Sequence, residues 1–465
     1  MSLDHLLAPR GATAALAGFA ANLTYQDLPD AVINHLKYAT LDGLGCIIHG
    51  ATLPWTQKIA EMAQIEAGKP EATIFGINLK VPAAVAALVN GTAGHAFELD
   101  DIHRDSIIHP NSLALPVAFS LIERENGLNG KSFLTAVAAG YEVGARIGSA
   151  AGPSLLINGF HPQGTTGVFT AAATAARLLS LGPITTQHAL GIAGSLGAGL
   201  MAAQEGAMVK RLHSGRAAET GLRAALLAAS GFTGITDVVE AKYGGFLSTH
   251  STTPKPQRLI SGLGREWELL STGFKPYATV TSIHCCLDAL SLIRTENKLS
   301  SNDIQSIDVA VSTPTYLHCA WPYKAQSVTA AQMNLFFGLA VMALEGEAFI
   351  SQFTQAMIED PRVLEMASRI CAHIDPEIDA KGPKHRHAAK VTVTCQDGRK
   401  FNKQISASKG SPGNPFTPDQ IKSKFRAITK GILTSNAQNN CLRWIEKMEN
   451  KADVRELISI SINNI

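Results

Sequence analysis

The apolar residues of the first half of the chain recur at helical spacing. From Asp30 to Gly50, Val32, Ile33, Leu36, Leu41, Leu44 and Ile47 recur mostly at spacings of three and four. That period lays one buried stripe along a helix. It predicts further helices over 81–99, 113–125, 132–150, 168–181 and 186–203. Between them stand Asn126-Gly127, Asn129-Gly130, Gly152-Pro153 and Gly182-Pro183, pairs that end helices because Gly accepts left-handed backbone and Pro has no N–H. The glycines of 191–206 predict close helix packing or a close approach of backbone to a ligand. Beyond Gly262 the period changes. Residues 304–313 alternate through Ile307, Val309 and Val311, and 390–404 alternate around Val391, Val393 and Cys395, with Asp397-Gly398 as a hairpin turn. Segments 330–344 and 362–372 look helical, and a polar helical pattern returns after Lys409–Pro415. The expected fold is mainly α: a discontinuous helical-bundle domain of residues 1–272 plus 409–465, with a smaller α+β domain of 273–408.

Composition narrows the function classes. At 465 residues the chain exceeds one ordinary core. With 46% hydrophobic and 17% charged residues, it has material for a large buried interior. A net charge of +2 implies neither a nucleic-acid surface nor an acidic tail. Seven scattered cysteines without a Cys-x-x-Cys pair argue against both a disulfide framework and a structural zinc site, and fit a reducing compartment. The start, Met-Ser-Leu-Asp-His, lacks the charged and apolar regions of a signal peptide. Gly, Ser, Thr or charge interrupts every apolar run before membrane-spanning length. The expectation is a soluble cytoplasmic protein with no nucleic-acid or membrane partner.

Two His-Pro steps carry the chemistry. His109-Pro110 follows the acidic run Glu98-Leu-Asp100-Asp101, and His161-Pro162 lies in Gly159-Phe-His-Pro-Gln-Gly. A residue before proline is pushed to extended backbone, and proline suits the first helical turn. Each histidine is therefore expected on a loop leading into a helix, beside free N–H groups that attract a carboxylate. Met208-Val-Lys210-Arg211-Leu-His213 adds a third basic cluster. Together these are parts of a polyanion pocket containing groups that titrate near neutrality. His284 lies in the apolar stretch 280–292, where a core histidine and a functional one are both open. His385-Arg386-His387 reads as a basic surface loop; with no acidic or cysteine partner nearby, no metal site is expected.

Gly94-His-Ala-Phe-Glu-Leu-Asp-Asp101, His109-Pro110, Gly159-Phe-His161-Pro162, Lys210-Arg-Leu-His213-x-Gly215, Tyr243-Gly-Gly-Phe246, Lys275-Pro-Tyr277 and Gly413-Asn-Pro415 occur in one order along the chain. In that order they resemble the MmgE/PrpD family, which includes 2-methylcitrate dehydratase, cis-aconitate decarboxylase and an iminodisuccinate epimerase. Met208-Val-Lys-Arg211, His318-Cys-Ala-Trp321 and Ile350-Ser-Gln-Phe353 resemble the decarboxylases in particular. The resemblance implies a helical domain with an α+β lid, a homodimer, no metal and no organic cofactor. It implies catalytic residues Glu98, Asp101, His109, His161, Lys210 and His284 between the domains, the member of the 98–101 run being open. His213, Arg211, Thr165, Tyr277 and His103 are candidates for substrate contact. One departure bears on the substrate. Several dehydratase-like members carry Cys-Cys where this chain has Ala278-Thr279, and here Cys285-Cys286 follow the histidine instead.

The expected partner is a small di- or tricarboxylate. Decarboxylation, dehydration and epimerisation of such an acid all develop charge beside a carboxylate, which a lysine and several histidines can stabilise. Decarboxylation of cis-aconitate or a close analogue leads. A 2-methylcitrate-type dehydratase, a dicarboxylate epimerase and a non-catalytic binding protein stand as alternatives.

Overall fold

The computed structural model describes residues 11–77 and 79–462. Long helices dominate the first half: Asp30–Ala51, Ala83–Gly94, Asn111–Arg124, Gly130–Ala151, Gly167–Leu178, Pro183–Leu196 and Val209–Ala229. All but Val209–Ala229, which the apolar period did not predict, fall within or close to the segments read as helical from the sequence. The residues Val32, Leu36, Leu41, Leu44 and Ile47 all lie in one apolar core. Alanine-rich faces let these helices approach closely. Helices Ala83–Gly94 and Val209–Ala229 come nearest at Gly91 and Gly215, where a Cβ on Gly215 would stand 2.1 Å from the carbonyl of Leu88. Only glycine permits that backbone contact. It brings the start of Val209–Ala229, with Lys210 and Arg211, beside the loop that carries Glu98.

A second apolar core is built on a four-stranded sheet, ordered Ile370–Ile374, Ile304–Val311, Ala389–Cys395 and Lys400–Ile405. The first pair is parallel and the others antiparallel, with Ile307 opposite Val393 and Val309 opposite Val391. Inward Ile307, Val309, Val311, Val391 and Val393 meet helices His284–Asn297 and Leu335–Glu345. The C-terminal helices Pro418–Ile428 and Ser435–Glu446 pack on Asp30–Ala51, back on the helical core. Among the described residues, no helix is long and apolar enough to cross a membrane.

Several expected elements differ in extent. The predicted helix 362–372 ends at Ser368, and Ile370–Ile374 is an edge strand paired with Ile304–Val311. Its five residues are too few to show a period of two. The predicted 330–344 helix is two helices, Val328–Met333 and Leu335–Glu345, broken at Asn334. Asn334 takes extended backbone, and its side chain accepts from Phe337 N at 3.0 Å, capping the second helix. Helix 81–99 stops at Gly94, and the 186–203 helix stops at Leu196. Beyond Gly94 the chain is the loop that carries Glu98, and beyond Leu196 it passes Gly199, beside His161 and His213, into the short 3-10 helix Met201–Glu205.

Candidate active site

The loop after Gly94 turns sharply at Glu98, whose φ of 55° is left-handed backbone that a non-glycine residue adopts at some cost. Side chains hold that turn from both sides. Gln332 Nε2 donates to Phe97 O at 2.9 Å, and Lys424 Nζ donates to Leu99 O at 2.6 Å. The turn aims a buried carboxylate at three buried cations. Glu98 pairs with Lys210 through Oε1, with Arg211 Nη1 through the same oxygen at 2.6 Å, and with Lys275 Nζ through Oε2 at 2.8 Å. Three cations against one carboxylate leave a surplus of two positive charges in a water-poor site.

The surplus shows in the titration behaviour. Burial pushes the Lys210 ammonium down to about 8, with Arg211 and Lys275 adding repulsion while Glu98 opposes them. Burial would raise the Glu98 carboxyl, but Lys210, Lys275 and Arg211 together hold it well below the usual carboxylate range. Glu98 is therefore held in its ionised form among the three cations it pairs with. Lys275 was quoted only as part of the Lys-Pro-Tyr motif, and its burial against Glu98 could not be read from that spacing.

Asp100 organises the first histidine pair. Its Oδ2 accepts from His95 Nδ1 at 2.7 Å and from Ser112 Oγ at 3.0 Å, and its Oδ1 lies 3.3 Å from His109 Nδ1. Burial acts to raise Asp100, yet His109 and His95 hold it well below its ordinary value. Burial drives His95 down to about 3 against the pull of Asp100, so its imidazole is neutral near pH 7. The rings of His95 and His109 are 4.7 Å apart, and His95 lies 6.0 Å from His161. His95 Nε2 is buried without a hydrogen-bond partner among the described residues. His95 was not singled out from the sequence, although it stands in the quoted Gly94-His-Ala motif. His95, Asp100 and His109 could also each offer a ligand atom to one metal ion, all within 4.8 Å of one another. The fold, not a metal-ligand spacing in the sequence, brings these three residues together.

His109 and His161 both stand just ahead of helices, as the prolines dictate. His161 has extended backbone (φ −86°, ψ 110°) and Pro162 begins the helix. The expected use of the free helix N–H groups needs correction, because the protein fills one itself. Asn111 N donates to Asp101 Oδ1 at 3.0 Å, and Asp101 Oδ2 accepts from Tyr141 OH at 2.7 Å. Asp101 thereby anchors the start of Asn111–Arg124, and Asp100 is the member of the run that reaches His109. Gln163 ties the two His-Pro steps together: it accepts from His109 N at 2.8 Å, and its amide lies against Ser112 Oγ and Ser214 Oγ. His161 Nδ1 lies 2.8 Å from His213 Nδ1. Burial lowers both, helped by the Lys210 charge, which favours the neutral form of each ring.

His284 comes from the second core. Its Nε2 donates to Thr279 O at 3.2 Å, which leaves Nδ1 as an acceptor, and burial with Lys275 drives it down to about 3. Tyr277 stands edge-on to it at 5.3 Å, but its hydroxyl is committed to Asp288 at 2.6 Å. The other candidates are also engaged within the protein. Arg211 bridges Glu98 and Gln332 Oε1; Thr165 donates to His161 O; His103 lies between Ser106 Oγ at 2.8 Å and Glu268 at 3.4 Å. The 385–387 loop is half-buried rather than free on the surface, with His387 Nε2 3.5 Å from Ser282 Oγ.

The chain matches the MmgE/PrpD N-terminal domain over residues 14–259 and the MmgE/PrpD C-terminal domain over 277–450. It is 32% identical to the cis-aconitate decarboxylase-like protein oryM of Aspergillus oryzae, over 96% of each chain. It is 29% identical to a cis-aconitate decarboxylase of Aspergillus terreus, over 97% of this chain and 96% of that one. The Homo sapiens cis-aconitate decarboxylase is 27% identical over 93% and 91% of the two chains. The likeness runs through both cores and the acidic, histidine and lysine segments that meet between them, and the chain belongs to the MmgE/PrpD family.

Proposed function

We propose that the protein is a lyase that removes CO2 from a small unsaturated polycarboxylate, cis-aconitate or a close analogue, using acid/base groups of its own chain. One observation carries this reading: a buried carboxylate gathers Lys210, Arg211 and Lys275 beside two histidine pairs. That field favours a substrate with several negative charges and stabilises further charge as it develops. The names of the similar proteins point to the same chemistry.

In this reading Lys210 and His161 hold substrate carboxylates. When His213 Nδ1 donates to His161 Nδ1, the Nε2–H of His161 is free to donate to an anion. As the bond to the leaving carboxylate breaks, its electron pair moves into the neighbouring unsaturated carboxylate and CO2 departs. His109, oriented by Asp100, delivers a proton to carbon and is reprotonated from water. One carboxylate and one proton thus become one C–H bond and CO2. His284 closes the pocket from the second core.

Incubation with a panel of polycarboxylates in D2O, followed by NMR, tests the choice. Decarboxylation gives a shortened product carrying one deuterium at the new C–H bond. An alkene formed without CO2 indicates dehydration, and deuterium exchange without loss of mass indicates epimerisation. If no acid of the panel changes, the enzymatic reading fails and a binding protein remains.

A further inference from the structure

Lys275 and His284 also line a small pocket together with Arg104, Thr281, His387 and the segment from Ser408 to Pro412, among others. No Asp or Glu is among its described lining residues. Lys275 connects the pocket to the catalytic groups, because Glu98 takes Lys275 on one oxygen and Lys210 on the other.

Arg104 is the group in this pocket that the mechanism leaves unused. Its Nε and Nη2 are buried and have no hydrogen-bond partner among the described residues. The neighbouring carboxylate, Asp105, is engaged by Arg258 at 2.8 Å. Arg386 adds positive charge at the same place, with its Nη2 donating to Arg104 O at 2.5 Å. Burial and the Arg104 charge push Arg386 down to about 10. A guanidinium with buried, unpaired N–H groups is unfavourable unless an anion meets it. The free Nε/Nη2 edge is the side-on fork that binds a carboxylate with two parallel hydrogen bonds.

We propose that Arg104 is the specificity-determining residue of this site, binding a second, distal carboxylate of the substrate through its Nε/Nη2 edge. The inference rests on the polycarboxylate reading given above and names the residue that separates tricarboxylates from dicarboxylates. Lysine 210 and His161 hold the reacting end, while Arg104 measures the length and charge of the other.

Binding of unreactive probes tests it independently of turnover. Tricarballylate and glutarate are titrated by calorimetry into the wild type, Arg104→Gln and Arg104→Lys. The wild type is expected to prefer tricarballylate by at least about tenfold. Arg104→Gln loses that preference by weakening the tricarboxylate alone, and Arg104→Lys restores part of it, because an ammonium cannot form the fork. Without ligand, Arg104→Gln melts at or above the wild-type temperature, since it removes an unpaired buried charge; a structural arginine would show the opposite. The proposal is overturned if Arg104→Gln keeps the wild-type preference, weakens both probes equally, or fails to fold. It is also overturned if the wild type binds neither probe. Binding with the expected pattern but no turnover of any acid would instead remove the lyase reading and leave the anion subsite standing.

Discussion

Replacing Glu98 with Gln keeps the shape of the side chain and removes the one counter-charge shared by Lys210, Arg211 and Lys275. Breaking a buried ion pair by removing one partner costs about 3–5 kcal/mol, because the other charge is left desolvated. Three pairs share this carboxylate, so their losses are not additive. Two features limit the total. Arg211 keeps Gln332 Oε1 at 2.8 Å, and Lys210 can shed its proton. In the wild type Lys210 falls from 10.5 to about 8, an order of 3 kcal/mol of penalty on the charged form. Without Glu98 its folded value falls further, and the neutral amine becomes accessible near pH 7. The expected loss is therefore about 3–5 kcal/mol, a fall in apparent Tm of about 3–5 °C for a chain of this length.

The pH dependence gives the sharper check. A lysine whose folded pKa is depressed makes stability rise as pH climbs from the folded value to the unfolded one. In the wild type that gain falls between about pH 8 and 10.5. In Glu98→Gln it begins at lower pH, so the deficit relative to wild type narrows between pH 6 and 9. The Glu98 carboxyl is itself depressed on folding, so its stabilisation is present above the unfolded carboxyl pKa and is lost as pH falls through the folded value. Scanning calorimetry from pH 5 to 9 measures the lysine effect, and its extension below about pH 4 measures the carboxylate effect. A Glu98→Gln protein within a degree or two of wild type at pH 7, or a deficit that does not change with pH, would refute the reasoning.

Further outcomes separate the roles of the site residues. His109→Ala should lower turnover at least about a hundredfold with little change in substrate binding, whereas Lys210→Ala should weaken binding as well; equal KM effects in steady-state kinetics would contradict the assignment. The rate kcat/KM should fall above about pH 8 as Lys210 loses its charge, and Lys210→Arg should move that limb upward; a limb unmoved by the substitution excludes Lys210 as its origin. We also propose a homodimer, as the family resemblance implies, and light scattering should give about twice the chain mass of 49.2 kDa; a mass near one chain at micromolar concentration would rule it out.

The two His-Pro steps were legible because proline acts locally. It fixes its own φ, pushes the preceding residue to extended backbone and removes an N–H, whatever surrounds it. The long helices were legible for a related reason: one buried face imposes its period on the residues of that face alone. The failures share a cause as well. Ile370–Ile374 is a strand because Ile304–Val311 lies beside it, and Asn334 breaks a helix because its side chain caps the next one. Partners distant in sequence decide such boundaries, and no local spacing records them.

The division at the site follows the same line. Residue types alone singled out histidines, a lysine and an acidic run as the candidate site, in a chain whose net charge of +2 gives no general field. Tertiary structure decided which member of the run does what. Glu98 reaches Lys210 and Arg211 because Gly91 and Gly215 let two helices meet at backbone distance, and Lys275 joins them from the chain after Gly273; Asp100 serves His95 and His109; Asp101 holds a helix start. These three acids are within four residues of one another and would look alike to any local rule. They differ because the chain turns at Glu98 through left-handed backbone, and charge interactions in a buried site depend on distances that only folding sets.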